Sequence, residues 1–122
     1  MTTQRMLIVE DNADGQEVVA RILRHHRIDF DVASTAEAAL GLLADTTYDA
    51  AIIDLALPVM DGWSLLKTIR QNADTVSLPC IAVTAYHSVE LVERAFIEGF
   101  TAYFPKPIDT TSFVRELDAI VN

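Results

Sequence analysis

Short apolar runs alternate with helix-like patterns along the whole chain, and this alternation restricts the folds that the sequence can adopt. Residues 6–9, 50–53 and 80–83 form unbroken apolar runs of strand length. Such runs are typical of strands that are buried on both faces of a parallel sheet. Residues 29–32 alternate in polarity and residues 102–104 form a very short run, so both segments predict edge strands of the same sheet.

Five helical patterns lie between and after these segments. Each places apolar residues three or four positions apart, which predicts a helix with one face toward the sheet. The apolar positions are Val19, Ile22, Leu23 and His26; Ala36, Ala39, Leu40 and Leu43; Leu65, Leu66 and Ile69; Val89, Val92 and Phe96; and Phe113, Leu117, Ile120 and Val121.

Individual residues predict where some of these helices begin or end. Asn12 or Asp14 is expected to cap the first helix, because their side-chain oxygens can accept from free backbone N–H groups. Ser34 with Glu37 three residues later matches a capping box at the start of the second helix. Gly99 is expected to end the fourth helix, since glycine readily adopts the left-handed conformation found there.

Strands that alternate with helices imply right-handed crossovers and a sheet covered on both faces. Five strands match the flavodoxin-like order 2-1-3-4-5 better than the six-stranded dinucleotide-binding fold. The expected fold class is therefore α/β, a single-domain (βα)5 sandwich over residues 1–122. In that order the second and fifth strands are the edges, in agreement with their patterns.

Composition excludes several classes of protein. Nine Lys and Arg against 18 Asp and Glu give 9 − 18 = −9, while 51% of residues are hydrophobic. The apolar content argues against disorder, and the acidity against nucleic-acid binding, which needs clustered cations. No run approaches the ~20 apolar residues that span a bilayer, and residues 1–6 lack a secretory signal. The single cysteine, Cys80, suits a reducing, cytoplasmic location.

Polar side chains follow four of the predicted strands. Glu10 and Asp11 follow the first strand, Asp54 the third, Thr84 the fourth and Lys106 the fifth. Because the carboxyl ends of parallel strands meet at one edge of a sheet, these residues are expected to share one crevice, where open α/β folds bind ligands.

Three carboxylates in one crevice repel one another. Two unit charges ~4 Å apart cost about 4 kcal/mol at an effective dielectric of 20, so the group is expected to hold a proton or bind a cation. Oxygen ligands with no His or Cys nearby favour Mg²⁺. A carboxylate beside Mg²⁺ can act as a nucleophile toward phosphorus, with a lysine and a hydroxyl near the phosphoryl oxygens.

At this point four segments match a known family. They are residues 9–12 (VEDN), 54–62 (DLALPVMDG), 83–85 (VTA) and 103–107 (YFPKP), each at the end of a predicted strand. Over essentially its whole length, the chain resembles a response-regulator receiver domain, the chemotaxis-protein-like phosphoacceptor of two-component signalling. Any one segment is a weak match, whereas four in order are a specific one.

The resemblance implies that Asp54 accepts a phosphoryl group in a Mg²⁺-dependent reaction. Asp11 and Asp54 would be direct Mg²⁺ ligands, the backbone carbonyl of Ala56 a third, and Glu10 would reach the metal through water. Glu10 stands where the family more commonly has Asp.

The resemblance also implies a conformational switch. Thr84 and Lys106 would bind phosphoryl oxygens, and Tyr103 would turn inward as Thr84 moves. Pro107 would shape the loop around Lys106, since the bond between these two residues is often cis in the family. Such a domain is a phosphoacceptor that assists its own phosphorylation and dephosphorylation, and it is not an enzyme in the usual sense.

The implied partners are a histidine kinase or histidine phosphotransfer protein as donor, and an output protein or a missing output domain. A homodimer on activation is compatible with the resemblance, and so is either a stand-alone receiver or a piece of a longer regulator or hybrid kinase. Two alternatives stay open: a pseudo-receiver that binds partners without phosphorylation, and an aspartyl-phosphate Mg²⁺ phosphohydrolase. The second is disfavoured because the haloacid dehalogenase family has a second Asp where this chain has Ala56.

Overall fold

A computed structural model describes residues 4–121 of the chain, without the side chain of Val121. Residues 1–3 lie outside the described residues. They include half of the segment 1–6, in which the sequence analysis found no secretory signal. The strands are β1 (Arg5–Val9), β2 (Asp29–Ala33), β3 (Ala50–Asp54), β4 (Cys80–Thr84) and β5 (Ala102–Pro105). The helices are α1 (Ala13–His25), α2 (Ala36–Asp45), α3 (Gly62–Gln71), α4 (Val89–Glu98) and α5 (Thr110–Val121).

The five strands form one parallel sheet in the order β2-β1-β3-β4-β5, which confirms the predicted topology and both predicted edges. Neighbouring residues of β1 enter different cores. Leu7 and Val9 belong to a core with α2 and α3, whereas Met6 and Ile8 belong to a core with α1 and α5. Because both faces of the strand are covered at residues 6–9, these four positions must be apolar, which explains the unbroken run.

The register of the sheet positions the polar residues that follow the strands. Asp54 is paired with Val83, and Thr84 with Pro105, so the carboxyl ends of β3, β4 and β5 are level. Cys80 lies fully buried at the opposite end of β4, and burial raises the pKa of its thiol to about 11. This thiol therefore stays protonated as a packing group.

Two helix ends match the sequence expectations, and a third has a side-chain cap. The Asn12 side chain accepts from the backbone N–H groups of Asp14 and Gly15 and is the N-cap of α1. Asp61 caps α3 by accepting from the Ser64 N–H. Gly99 ends α4 with a φ of 114°, a conformation that favours glycine.

The predicted capping box of α2 is wrong. Thr35, one residue later than expected, caps the helix by accepting from the Ala38 N–H at 3.0 Å. The Ser34 hydroxyl instead accepts a hydrogen bond from the Gln16 side chain of α1. A tertiary contact thus takes the hydroxyl that the local sequence assigned to the cap.

Three positions that were predicted to lie on the apolar faces of helices are exposed. The fourth helix was expected to bury Val89 and Phe96, but 69% and 51% of their surface is exposed, and Ala95 is the buried residue of α4. His26 is the exposed C-cap of α1 rather than part of its apolar face. Helical spacing predicts that a segment is a helix. It does not predict which of two rows of apolar residues on that helix packs against the edge of the sheet.

None of the helices in residues 4–121 is long and apolar enough to cross a membrane.

Val59 in the loop between β3 and α3 has a strained backbone. Its φ is 64° and its side chain is fully exposed. The left-handed region is unfavourable for a β-branched residue by about 1–2 kcal/mol, and no burial of the side chain offsets this here.

We therefore expect Val59→Gly to stabilise the protein by about 0.5–1 kcal/mol, because relief of the strain outweighs the added entropy of the unfolded chain. Chemical denaturation of both proteins measures the difference. Val76→Gly is the matched control: Val76 is an exposed loop valine without a positive φ, and its loss is expected to be neutral or destabilising. Equal effects of both changes would contradict the assignment of strain to Val59.

Candidate functional site

The polar residues at the carboxyl edge of the sheet converge as predicted. Glu10, Asp54 and Thr84 are buried, with 4%, 7% and 2% of their surface exposed, whereas Asp11 is exposed at the rim. One carboxylate oxygen from each of the three acids lies within 4.8 Å of the others. The strands thus bring together residues that are more than forty positions apart in sequence.

Lys106 provides the positive charge of this group. Its Nζ donates to Glu10 Oε1 at 2.5 Å and to Asp54 Oδ2 at 3.1 Å. Its backbone N–H donates to the Thr84 carbonyl at 2.8 Å, which fixes the loop after β5 to the end of β4. The peptide bond between Lys106 and Pro107 is cis, as the sequence resemblance led us to expect.

Backbone groups hold the two buried carboxylates. The Ala56 N–H donates to Asp54 Oδ1 at 3.0 Å, and the Asn12 N–H donates to Glu10 Oε2 at 3.3 Å. The Gln16 amide donates to the Glu10 carbonyl at 2.6 Å, which ties the end of β1 to α1. Each carboxylate therefore has one oxygen on a backbone N–H and the other on Lys106.

The two buried carboxyl groups have different acidities. Burial raises the pKa of Asp54, but its contacts with Glu10, the Ala56 N–H and Lys106 outweigh burial and hold that pKa below the ordinary value. Burial and the neighbouring Asp54 raise the pKa of Glu10, although Lys106 opposes them. Burial lowers the pKa of Lys106, yet its two carboxylate partners raise it overall. Asp54 is thus the more readily ionised carboxyl group, beside a charged ammonium.

The loop after Asp54 requires glycine at position 62. A Cβ on Gly62 would lie 2.6 Å from the Asp54 carbonyl oxygen and 2.8 Å from Leu55 Cα, so α3 could not begin this close to the end of β3. The contact with Asp54 depends on tertiary packing, which local sequence does not report.

Thr84 and Tyr103 both form hydrogen bonds with the backbone of Tyr86. The Tyr86 N–H donates to the Thr84 hydroxyl at 3.1 Å, and the half-buried Tyr103 hydroxyl donates to the Tyr86 carbonyl at 3.0 Å. The Tyr103 ring also lies 5.8 Å from the ring of the exposed His87. The hydroxyl at the site is thereby connected to β5 through two hydrogen bonds.

A cavity of about 190 Å³ opens beside Glu10 and Asp54, between α1 and the loop after β5. Its walls are largely apolar. They include Gly15, Val18, Val83 and Ile108.

The donor set of the site fits a hard divalent cation. Three carboxylates supply oxygen atoms, and the cluster contains no His or Cys that would favour a softer metal. A cation here would neutralise charges that Lys106 alone does not balance.

The model of the response regulator receiver domain family matches residues 6–118, nearly the whole chain. The chain belongs to the response-regulator receiver family. Receiver domains are phosphoacceptor domains of two-component signalling, so the class of function follows from this membership.

Two curated proteins match most of the length of this chain. An uncharacterised 14.6 kDa protein of Leptolyngbya boryana is 33% identical over 90% of this chain and 84% of its own length. The heme response regulator HssR of Staphylococcus aureus is 32% identical over 94% of this chain, which spans 50% of that protein.

Solved structures share the fold. A putative response regulator of Chloroflexus aurantiacus has a TM-score of 0.93 and 29% identity, with 98% of both chains covered. The receiver domain of the sensor histidine kinase PA1611 of Pseudomonas aeruginosa, with a magnesium ion coordinated in its active-site cleft, has a TM-score of 0.89, 29% identity and the same coverage.

We expect Lys106→Met to lower the free energy of unfolding by about 2 kcal/mol in metal-free buffer, because it leaves Glu10 and Asp54 without their shared cation. Urea denaturation in the presence of a chelator measures this loss. Lys67→Met is the control, since Lys67 is the other lysine, is exposed on α3 and forms no ion pair within residues 4–121. If the two variants were equally stable, the Lys106 ion pairs would make no net contribution to the free energy of unfolding.

Proposed function

We propose that this receiver domain is a phosphorylation-driven switch in which Asp54 accepts a phosphoryl group from a phosphohistidine donor in a Mg²⁺-dependent reaction. The observation that carries the proposal is the convergence of three carboxylates at the carboxyl edge of the sheet, two of which, Glu10 and Asp54, are paired with Lys106. The donor would be a histidine kinase or a histidine phosphotransfer protein.

In the transfer, a carboxylate oxygen of Asp54 attacks phosphorus while the phosphorus–nitrogen bond of the donor breaks. The electron pair of that bond leaves with the imidazole, and an acyl phosphate forms on Asp54. The lowered pKa of Asp54 keeps this nucleophile ionised. The Ala56 N–H, which contacts one of its oxygens, favours the same state.

A Mg²⁺ ion, when bound, neutralises charge on the phosphoryl oxygens. Asp11 and Asp54 would hold it directly, with the Ala56 carbonyl as a further ligand and Glu10 acting through water. The magnesium in the similar receiver domain of the kinase PA1611 supports this choice of metal. Lys106 would exchange its bond with Asp54 for one with a phosphoryl oxygen, which retains an ion pair at the same place.

The switch would begin at Thr84. Its hydroxyl accepts from the Tyr86 N–H, and turning toward the phosphoryl group would release that bond. The Tyr86 carbonyl also accepts from the Tyr103 hydroxyl, so a movement of Thr84 that displaces residue 86 would be transmitted to β5. Tyr103 and Thr84 would thus respond together.

The responding surface would be α4, β5 and α5. Helix α4 buries Ala95 but exposes Val89, Phe96 and Ile97, so little core packing resists its movement. This surface would bind an output protein, an output domain or a second copy of the chain. The curated regulator HssR is about twice as long as this chain, which leaves room for an output domain in that protein.

Incubation with Mg²⁺ and a small acyl phosphate is expected to add one phosphoryl group to the wild-type protein and none to Asp54→Asn, because the amide is not a nucleophile. Intact mass spectrometry measures the addition. Asp61→Asn is the matched control: Asp61 lies in the same loop but caps α3, and asparagine caps equally well. A wild-type protein that stays unmodified, or Asp54→Asn that becomes modified, would refute the proposal.

Thr84→Val keeps the shape of the side chain but removes the hydroxyl, so it is expected to retain phosphorylation and lose the conformational response. Hydrogen exchange of residues 86–98, with and without beryllofluoride, measures that response. We expect beryllofluoride to change the exchange of these residues in the wild-type protein, and we expect the change to be at least threefold smaller in the variant. Thr68→Val, which removes a hydroxyl on α3, is the control. An unchanged response in Thr84→Val would exclude the hydroxyl from the switch.

A further inference from the structure

Gly15 in the first turn of α1 lies against the Glu10 side chain. A Cβ at position 15 would lie 2.2 Å from Glu10 Oε1, 2.7 Å from Cδ and 3.0 Å from Cγ. These distances are too short for real contacts, so Glu10 occupies space that any other residue at position 15 would fill.

The backbone gives no reason for glycine at this position. Gly15 lies within α1, and its N–H donates to the Asn12 cap as that of any residue could. Glycine within a helix is unfavourable compared with alanine. The close approach of the Glu10 side chain therefore explains why residue 15 is a glycine.

Glu10 needs this space because glutamate is one methylene longer than aspartate. With the backbone of residue 10 fixed at the end of β1, the longer side chain folds back toward α1 before its Oε1 reaches Lys106 at 2.5 Å. The atoms that a Cβ would meet are the far atoms of this side chain. A shorter aspartate has its carboxyl carbon at Cγ, so its oxygens reach about as far as the Cδ of Glu10 and avoid the closest contact, which is made by Oε1.

We propose that Gly15 is a positioning residue for the metal and phosphoryl site, which lets Glu10 place its carboxylate beside Asp11 and Asp54. The inference rests on the proposed function, because it assigns Glu10 to the Mg²⁺ site. A side chain at position 15 would push the Glu10 carboxylate away from Lys106 and out of the cluster. Since only a flexible side chain must move, the fold would persist.

The test is isothermal titration calorimetry, in which Mg²⁺ is added to the metal-free protein. Gly15→Ala is expected to bind Mg²⁺ about tenfold more weakly than the wild-type protein, the loss typical of a disturbed outer-shell partner. Its thermal unfolding midpoint is expected to stay at or above the wild-type value, because alanine favours the helix. Weaker binding without lower stability is the signature of a displaced ligand.

Gly41→Ala is the matched control. Gly41 also lies within a helix, α2, and a Cβ there would have nothing within 4 Å. We expect this change to raise the unfolding midpoint by a few degrees and to leave Mg²⁺ affinity unchanged.

Shortening residue 10 provides the decisive comparison. In the Glu10→Asp background, Gly15→Ala is expected to weaken Mg²⁺ binding less than in the wild-type background, because the aspartate oxygens end one bond short of Oε1, the atom closest to position 15. An equal loss in both backgrounds would show that alanine acts by another route and would overturn the inference, as would an unchanged affinity in Gly15→Ala alone. A wild-type protein that binds no Mg²⁺ would instead refute the proposed function.

Discussion

The contact on which this site depends is the pair of ion pairs that Lys106 forms with Glu10 and Asp54. The two carboxylates are buried at the ends of strands β1 and β3, and Lys106 follows β5, so one ammonium group links both ends of the chain. Without a cation, the adjacent negative charges would oppose the register that brings the strand ends level. The same arrangement makes the site responsive, since any group that changes the charge at Asp54 changes what Lys106 must bind.

The packing of the molecule separates a rigid part from a loosely held part. The strands β1, β3 and β4 are covered on both faces, and this fixes the positions of Glu10, Asp54 and Thr84. Helix α4 instead contributes Ala95 to the core and leans on α3 through the Arg94 guanidinium, which lies 4.0 Å from the Trp63 ring. A charge change at a fixed site can thus alter a neighbouring surface without disturbing the sheet.

The sequence predicted most of the fold and the composition of the site. Both depend on the apolar pattern of the strands and on the polar residues that follow them. All five strands and the convergence of Glu10, Asp54, Thr84 and Lys106 came from these two signals. The misassigned cap of α2 and the misassigned face of α4 depend instead on which neighbour a side chain meets. Gly15 was missed for the same reason: nothing within a helical sequence reports that a glutamate five residues earlier will fold back against it.

The connection between Thr84 and Tyr103 runs through the peptide groups on either side of a single α-carbon. Both hydrogen bonds end on backbone atoms of residue 86, the N–H on one side and the carbonyl oxygen on the other. Every amino acid except proline supplies these two groups. The side chain at position 86, which is 70% exposed, is therefore not needed for this connection. A substitution at this position can change the surface chemistry beside the site while the internal connection between Thr84 and Tyr103 stays in place.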